Sequence, residues 1–227
     1  METCYIVGAG NFTARGLTPA EGDLLIAADG GYDWLLQSGL TPQFLLGDLD
    51  SLGRLPVLPP ETRLLRYPVE KDDTDTALAL EEGWNRGYRS FALYGCTGGR
   101  PDHFLANLQT MARYAGMGAQ IRMTDPDYDV FALHNGTMAL PERPRNTLVS
   151  VFCHGNEAHG VTLEGLRVEI TEGEITENAI TTKFPAVLRD VEVLGTVSGF
   201  GAEDGLSEIP RTLALGELSA QEDNTFL

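Results

Sequence analysis

Three short blocks of acidic residues and glycines contain the side chains that could carry out chemistry. They are Gly47–Ser51, Lys71–Asp75 and Thr97–His103. Asp48 and Asp50 lie two residues apart after an apolar run, and side chains at i and i+2 of an extended backbone point to the same side. Two adjacent carboxylates repel each other, and a divalent cation such as Mg2+, which prefers oxygen ligands and substrate phosphates, relieves that repulsion. The first block therefore predicts a site for a metal ion and phosphate.

The second block, Lys71-Asp72-Asp73-Thr74-Asp75, opens a helix that is predicted to run to about Arg86. Acidic residues are favoured at helix N-termini, and Asp72 at the N-cap with Asp75 at N3 would form a start that resembles a capping box. Capping alone does not explain a lysine beside three acids. Because a cap also fixes a carboxylate in position, the same residues can serve both the helix and a metal.

The third block combines two glycines with a basic residue. Gly98 and Gly99 let backbone N–H groups approach a ligand, and Arg100 offers a planar fork of donors that suits phosphate. Pro101 suits the first turn of a helix continuing to about Tyr114. Polar side chains follow near the start of that helix, namely Asp102, His103 and Asn107. A single histidine in such a place is more often a structural hydrogen-bonding residue than a catalyst.

Apolar runs before these blocks must position them. Residues 4–8 and 24–28 are typical of buried strands. Gly8-Ala9-Gly10 begins like a dinucleotide fingerprint, but Thr13 stands where the third glycine belongs, so both a glycine turn and a role near phosphate remain open. Asp29 either caps the helix predicted over residues 32–38 or is a site residue at the carboxyl end of a strand.

The alternation of strands and helices up to about residue 140 predicts an α/β domain with a largely parallel sheet over residues 1–142. A proline-rich stretch then marks a boundary. Beyond it, residues 146–227 predict a small all-β sandwich domain. Its predicted strands are Thr147–Phe152, Val161–Leu163, Leu166–Ile170, Val191–Leu194 and Arg211–Leu215.

Composition limits the partners and the compartment. The net charge of −17 argues against a general nucleic-acid surface or a surface for anionic membranes. The sequence contains no apolar run long enough to span a membrane, and its N-terminus lacks the features of a signal peptide. The three cysteines are widely spaced, which fits neither a disulfide framework nor a zinc site. A reducing cytoplasm is the expected compartment.

In their order and spacing, these blocks resemble the thiamine pyrophosphokinase family. The resemblance covers roughly residues 5–170, and four blocks in the family's order are far more specific than any one of them. The residues that carry it are Ala28-Asp29-Gly30-Gly31, Pro42 with Gly47–Ser51, Lys71–Asp75, Gly95–His103 with Asn107, and Gly160–Leu166.

The resemblance implies an N-terminal α/β catalytic domain, a C-terminal β-sandwich and a homodimer with the thiamine site at the subunit interface. It implies transfer of a pyrophosphoryl group from ATP to the hydroxyl of thiamine, with Mg2+, giving thiamine pyrophosphate and AMP. The implied metal and catalytic residues are Asp48, Asp50, Asp72, Asp75 and Asp102. The implied nucleotide-binding residues are Asp29, Gly30, Lys71, Thr97, Gly98, Gly99, Arg100 and His103.

The chain departs from the family pattern over residues 178–227, which lack the Ser-Asn-Glu stretch that contributes to the family's thiamine pocket. We therefore expect the fold of the second domain to be kept with altered last strands. Three other hypotheses stay open. A glycosyltransferase could use Asp48-Leu49-Asp50 as a DxD motif, an inactive module could bind thiamine or a nucleotide, and an oxidoreductase could bind a dinucleotide through Gly8, Gly10 and Asp29.

Overall fold

The computed structural model describes residues 1–47, 57–67, 73–141, 144, 147–154, 157–163, 166, 170–176, 180–183 and 211–217. The chain forms two compact units. The first comprises Met1–Thr110 with Met123–Pro126, and the second comprises Met111–Arg122 with Asp127–Leu227. The architecture is a mostly parallel sheet with helices followed by an all-β part, which confirms the predicted fold class.

The first unit is built on five parallel strands in the order β5-β1-β2-β3-β4. The strands are β1 (Thr3–Val7), β2 (Leu24–Ala28), β3 (Phe44–Gly47), β4 (Arg63–Arg66) and β5 (Ser90–Tyr94). The helices are α1 (Gly31–Gln37), α2 (Asp75–Asn85) and α3 (Pro101–Gly116), the last of which begins in this unit.

The central strands are almost continuously apolar because a parallel sheet is covered on both faces. All five residues of β2 are buried, as are all four residues of β3. The register aligns Val7 with Ala27 and with Tyr94, so the strands end at the same edge of the sheet. The loops that leave this edge therefore start close together, and ligands bind at such an edge in open α/β sheets.

The described part of the second unit from residue 127 onward contains strands and no helix. β12 pairs in parallel with β7 and with β8, while β8 pairs antiparallel with β11. β9 and β10 form a separate antiparallel pair. The strands are β6 (Gln120–Thr124, whose last two residues belong to the first unit), β7 (Tyr128–His134), β8 (Leu148–Cys153), β9 (Glu157–Leu163), β10 (Ile170–Thr176), β11 (Ile180–Lys183) and β12 (Arg211–Glu217).

The start of α2 differs from the prediction. Its N-cap is Thr74, whose backbone is extended and whose side-chain oxygen accepts a hydrogen bond from the N–H of Ala77 at 3.2 Å. Asp75 is the first helical residue. The predicted cap at Asp72 with Asp75 at N3 was therefore wrong, because Thr74 is the cap and the helix begins two residues later than predicted, with Asp75 at N1.

Two further strands differ in extent. Ile170 begins β10 instead of ending a strand at that position, and β11 follows without having been predicted. The predicted strand Val191–Leu194 lies outside the described residues. No helix among the described residues is both long and apolar enough to cross a membrane.

Candidate active site

A cavity of about 660 Å³ lies in the first unit, at the carboxyl ends of β1, β2 and β5 and beside the starts of α2 and α3. Its wall consists mainly of the backbone of glycine-rich loops and of short polar side chains. The lining residues are Gly8, Ala9, Gly10, Ala28, Asp29, Asp73, Thr74, Asp75, Thr76, Gly95, Cys96, Thr97, Gly98, Gly99, Arg100, His103 and Asn107.

Two carboxylates converge at one edge of this cavity. A Cβ atom built on Gly47 would lie 3.3 Å from Oδ1 of Asp29 and 3.3 Å from Oδ1 of Asp75. Gly47 has a φ of 141°, in the range that favours glycine, and thus leaves open the space into which both carboxylates point. Asp48 follows Gly47 directly in the sequence, which puts a third acid next along the chain.

Asp29 is held by its backbone. Its N–H donates to the carbonyl of Leu46 at 2.8 Å, and its φ of 51° lies in the left-handed region, which aspartate tolerates better than most residues. The N-cap residue of α1 is Gly30. The interpretation of Asp29 as a helix cap was therefore wrong, and its side chain instead lines the cavity.

The described residues alone do not complete a metal site. Within the ranges that the structure describes, no three histidine, cysteine, aspartate or glutamate side chains are grouped as metal ligands. Asp29 and Asp75 nevertheless supply two oxygen donors of the kind that Mg2+ binds. The other predicted acids of the first two blocks, Asp48, Asp50 and Asp72, lie outside the described residues, as does Lys71.

The glycines after β1 serve the contact between two loops. The N–H groups of Gly8, Gly10 and Asn11 donate to the carbonyls of Tyr94, Gly95 and Thr97 at 2.7, 2.7 and 2.8 Å. A Cβ on Gly8 would come within 2.6 Å of the Gly95 carbonyl oxygen. This supports a structural glycine turn, since these N–H groups are already used and are not available to hold phosphate.

The glycines after β5 are different. Gly98 and Gly99 have φ values of 75° and 64°, and within the described part of the chain no group accepts a hydrogen bond from either N–H. Both residues are exposed at the cavity. Their N–H groups are thus available to an anionic ligand, as the third sequence block predicts.

Arg100 and Asp102 form an exposed ion pair. Nη2 of Arg100 lies 2.5 Å from Oδ2 of Asp102, and Nε donates to Oδ1 at 3.1 Å. The hydrogen bonds from Arg100 lower the pKa of Asp102 to about 2. Arg100 lines the cavity, whereas Asp102 is not among the described residues that line it. A bound phosphate would compete with Asp102 for the guanidinium.

Some residues at the inner wall of the cavity were predicted from the sequence blocks, and others were not. Thr97 is buried, and its hydroxyl donates to the carboxylate of Asp125. The thiol of Cys96 donates to the Tyr94 carbonyl at 3.2 Å and lies 3.7 Å from the hydroxyl of Thr76. Asp125, which accepts the hydrogen bond from Thr97, was not predicted from the sequence as a residue that supports the site. It follows the strand β6 directly, so the rule that pointed to Asp29, an acid at the carboxyl end of a strand, would also have found it.

Cys96 is expected to resist alkylation in the folded protein. Burial raises the pKa of its thiol to about 11, so the thiol stays protonated near pH 8, and the thiolate is the reactive form. We expect iodoacetamide to modify the half-buried Cys153 first and to reach Cys96 only after unfolding. Mass spectrometry of peptides over a time course measures this order. Modification of Cys96 at the rate of Cys153 would contradict the burial argument.

Comparisons with known proteins find one family over the segment that contains most of the residues lining this cavity. Residues 19–123 match the family described as thiamin pyrophosphokinase, catalytic domain. The thiamine pyrophosphokinase of Bacillus subtilis is 29% identical over 172 residues, which cover 72% of this chain and 79% of that protein.

Solved structures show the same likeness. The thiamin pyrophosphokinase of Geobacillus thermodenitrificans aligns with a TM-score of 0.69 and 26% identity, covering 80% of this chain and 88% of that chain. A thiamin pyrophosphokinase family protein from Enterococcus faecalis aligns with a TM-score of 0.66 and 28% identity, covering 81% and 90%. The matched segment contains the converging carboxylates of Asp29 and Asp75, and it contains Gly98 and Gly99, whose N–H groups donate to no described residue. Residues 19–123 of this chain are therefore similar to the thiamin pyrophosphokinase catalytic domain.

Proposed function

We propose that this chain is a thiamine pyrophosphokinase, a transferase that moves a pyrophosphoryl group from ATP to thiamine and so forms thiamine pyrophosphate and AMP. The observation that carries the proposal is one cavity lined by two converging carboxylates, by an arginine and by backbone N–H groups that donate to no described residue. The family match over residues 19–123 and the likeness to solved thiamin pyrophosphokinases support the same activity.

The chemistry requires alignment and charge compensation more than covalent help from the protein. The hydroxyl oxygen of thiamine forms a bond to the β-phosphorus, the bond between that phosphorus and the oxygen bridging to the α-phosphorus breaks, and AMP leaves with the electron pair. The proton released from the hydroxyl passes to a basic group. A carboxylate at the cavity edge is a suitable acceptor for that proton.

The third block would bind the phosphates. The N–H groups of Gly98 and Gly99 and the guanidinium of Arg100 are donors that suit phosphate oxygens and offset charge on the departing AMP. The remaining members of the proposed nucleotide site are Asp29, Gly30, Lys71, Thr97 and His103, of which Asp29, Thr97 and His103 line the cavity.

Mg2+ is the proposed metal because the acids at the cavity edge are hard oxygen donors. Asp29 and Asp75 point to the same space beside Gly47, and Asp48 follows Gly47 in the chain. We propose that Asp48, Asp50, Asp72, Asp75 and Asp102 hold the metal. Bound there, Mg2+ would neutralise phosphate charge and orient the triphosphate. For Asp102 to take part, its ion pair with Arg100 must open.

We also propose that residues 1–142 bind ATP and the metal, and that residues 146–227 form a β-sandwich for thiamine binding and homodimer formation. The strands from Leu148 onward support an all-β second part. The net charge of −17 disfavours nucleic acid or an anionic membrane as a partner. Three cysteines without a disulfide are compatible with the proposed cytoplasmic location.

The first test is product formation from ATP, thiamine and Mg2+, with chromatography used to quantify AMP and thiamine pyrophosphate. We expect equal amounts of the two products, and we expect a chelator such as EDTA to abolish both and excess Mg2+ to restore them. ATP binding without product would instead indicate an inactive binding module. AMP release without thiamine pyrophosphate would indicate another acceptor.

A further inference from the structure

We propose that Asn107 is a specificity-determining residue whose Oδ1 accepts a hydrogen bond from a neutral N–H or O–H group of the bound nucleotide. This inference rests on the proposed function, because it takes ATP as the bound nucleotide. Asn107 lies in the second turn of α3, lines the cavity and is 4% exposed.

The orientation of the Asn107 amide follows from the hydrogen bond that it makes to Cys96. Nδ2 of Asn107 donates to the carbonyl of Cys96 at 2.9 Å. If the amide were flipped, two acceptor oxygens would face each other, so the bond to Cys96 fixes which atom is the donor. Oδ1 is then the atom left for another partner.

Among the described residues, no group donates a hydrogen bond to Oδ1 of Asn107, although the atom is buried. An unpaired buried acceptor costs free energy unless a donor reaches it. Because Asn107 lines the cavity, a bound ligand is in a position to supply that donor.

Two polar groups that line the same cavity, Thr97 and Cys96, use their hydrogens elsewhere. The hydroxyl of Thr97 donates to Asp125, and the thiol of Cys96 donates to the carbonyl of Tyr94. Neither hydrogen is therefore free for Asn107. A ligand bound in the cavity can supply the donor, and that donor cannot be an ionised phosphate, because phosphate oxygens are acceptors and would repel Oδ1.

An ATP molecule offers such donors at its nucleoside. The 6-amino group of adenine and the 2′- and 3′-hydroxyls of ribose are neutral donors, and each can be removed chemically without changing the triphosphate. Purine riboside triphosphate lacks the amino group, and the two deoxy forms of ATP lack one hydroxyl each. Sites built to pair a donor reject analogues that lack it, because the buried acceptor is then left unpaired.

The test compares how the wild-type chain and one variant bind ATP and its three analogues. The dissociation constants of ATP and of the three analogues are measured by calorimetry on the wild-type chain and on Asn107→Ala. We expect one analogue to bind about tenfold more weakly than ATP to the wild type. We expect this difference to shrink to about twofold or less in Asn107→Ala, since the acceptor is gone. The analogue that loses affinity identifies the donor.

Asn85→Ala provides a matched control, because Asn85 is an exposed helical asparagine outside the cavity lining. It should discriminate among the nucleotides as the wild type does. If the role of Asn107 is purely structural, Asn107→Ala should weaken the binding of all four nucleotides equally and leave the ratios of their dissociation constants unchanged. These ratios therefore separate the two roles. If Asn107→Ala does not fold, Asn107→Ser is used.

A measurement on the unsubstituted protein covers the case in which neither variant folds. The side-chain amide resonances of Asn107 should shift more with ATP than with the analogue that lacks the donor. Equal shifts, equal affinities for all analogues, or discrimination that persists in Asn107→Ala would each overturn the inference. Absence of any ATP binding by the wild type would overturn the proposed function as well.

Discussion

Asp75→Asn is expected to lower the rate of thiamine pyrophosphate formation by roughly two orders of magnitude or more while leaving the fold near normal. The substitution keeps the size of the side chain and removes its charge. Oδ1 of Asp75 points with Oδ1 of Asp29 into the space beside Gly47. Of these two carboxylates, Asp75 is the one proposed to hold the metal, so the change removes a charged ligand from that site. Because Thr74 caps α2, the helix start is preserved, and the lost interaction with the helix dipole costs only about 0.3–1 kcal/mol.

The control for this prediction is Asp33→Asn. Asp33 is also an acid in the first turn of a helix, but it is exposed and does not line the cavity. Steady-state kinetics with ATP and thiamine, together with thermal unfolding, compare both variants with the wild type. Asp33→Asn should keep its turnover. If Asp75→Asn kept it too, Asp75 would contribute only to the stability of the helix.

The sheet was predictable because its strands have a simple sequence signature. Leu24–Ala28 and Ser90–Tyr94 are short, nearly continuous apolar runs followed by glycine or acidic turns, which is what a strand covered on both faces requires. Where the signature is weaker, prediction failed. β10 (Ile170–Thr176) contains two isoleucines among polar residues and a glycine, and irregularities interrupt its register with β9, so the regular alternation of a strand is missing.

The site was predictable to the extent that strand ends define it. Asp29 and the Gly98–Arg100 turn follow strands, and the parallel sheet brings them to one cavity. The start of α2 was predicted wrongly, because four adjacent polar residues are all suitable caps and the sequence alone does not favour Thr74 among them. The amide orientation of Asn107 depends on the carbonyl of Cys96, which belongs to another element, so no local pattern could reveal it.

Gly95→Ala is expected to destabilise the protein by about 3–5 kcal/mol, which is a large part of the stability of a typical domain. Two costs add at this position. The φ of 60° at Gly95 is unfavourable for any residue with a side chain, and a Cβ there would overlap the carbonyl oxygen of Gly8. Gly8 and Gly95 belong to the two loops that hydrogen-bond to each other through Gly8, Gly10 and Asn11, so the overlap has little room to relax. Urea denaturation followed by circular dichroism measures the free energy of unfolding.

Gly39→Ala separates the two costs. Gly39 has a similar φ of 69°, but a Cβ there would meet nothing within 4 Å, so the substitution should cost only about 1–2 kcal/mol. The excess at Gly95 then measures the contact between the loops. Equal losses in the two variants would mean that the loops separate easily. The contact would then not hold Cys96 and Thr97 in place, and these residues would take up their positions in the cavity wall only when a ligand binds.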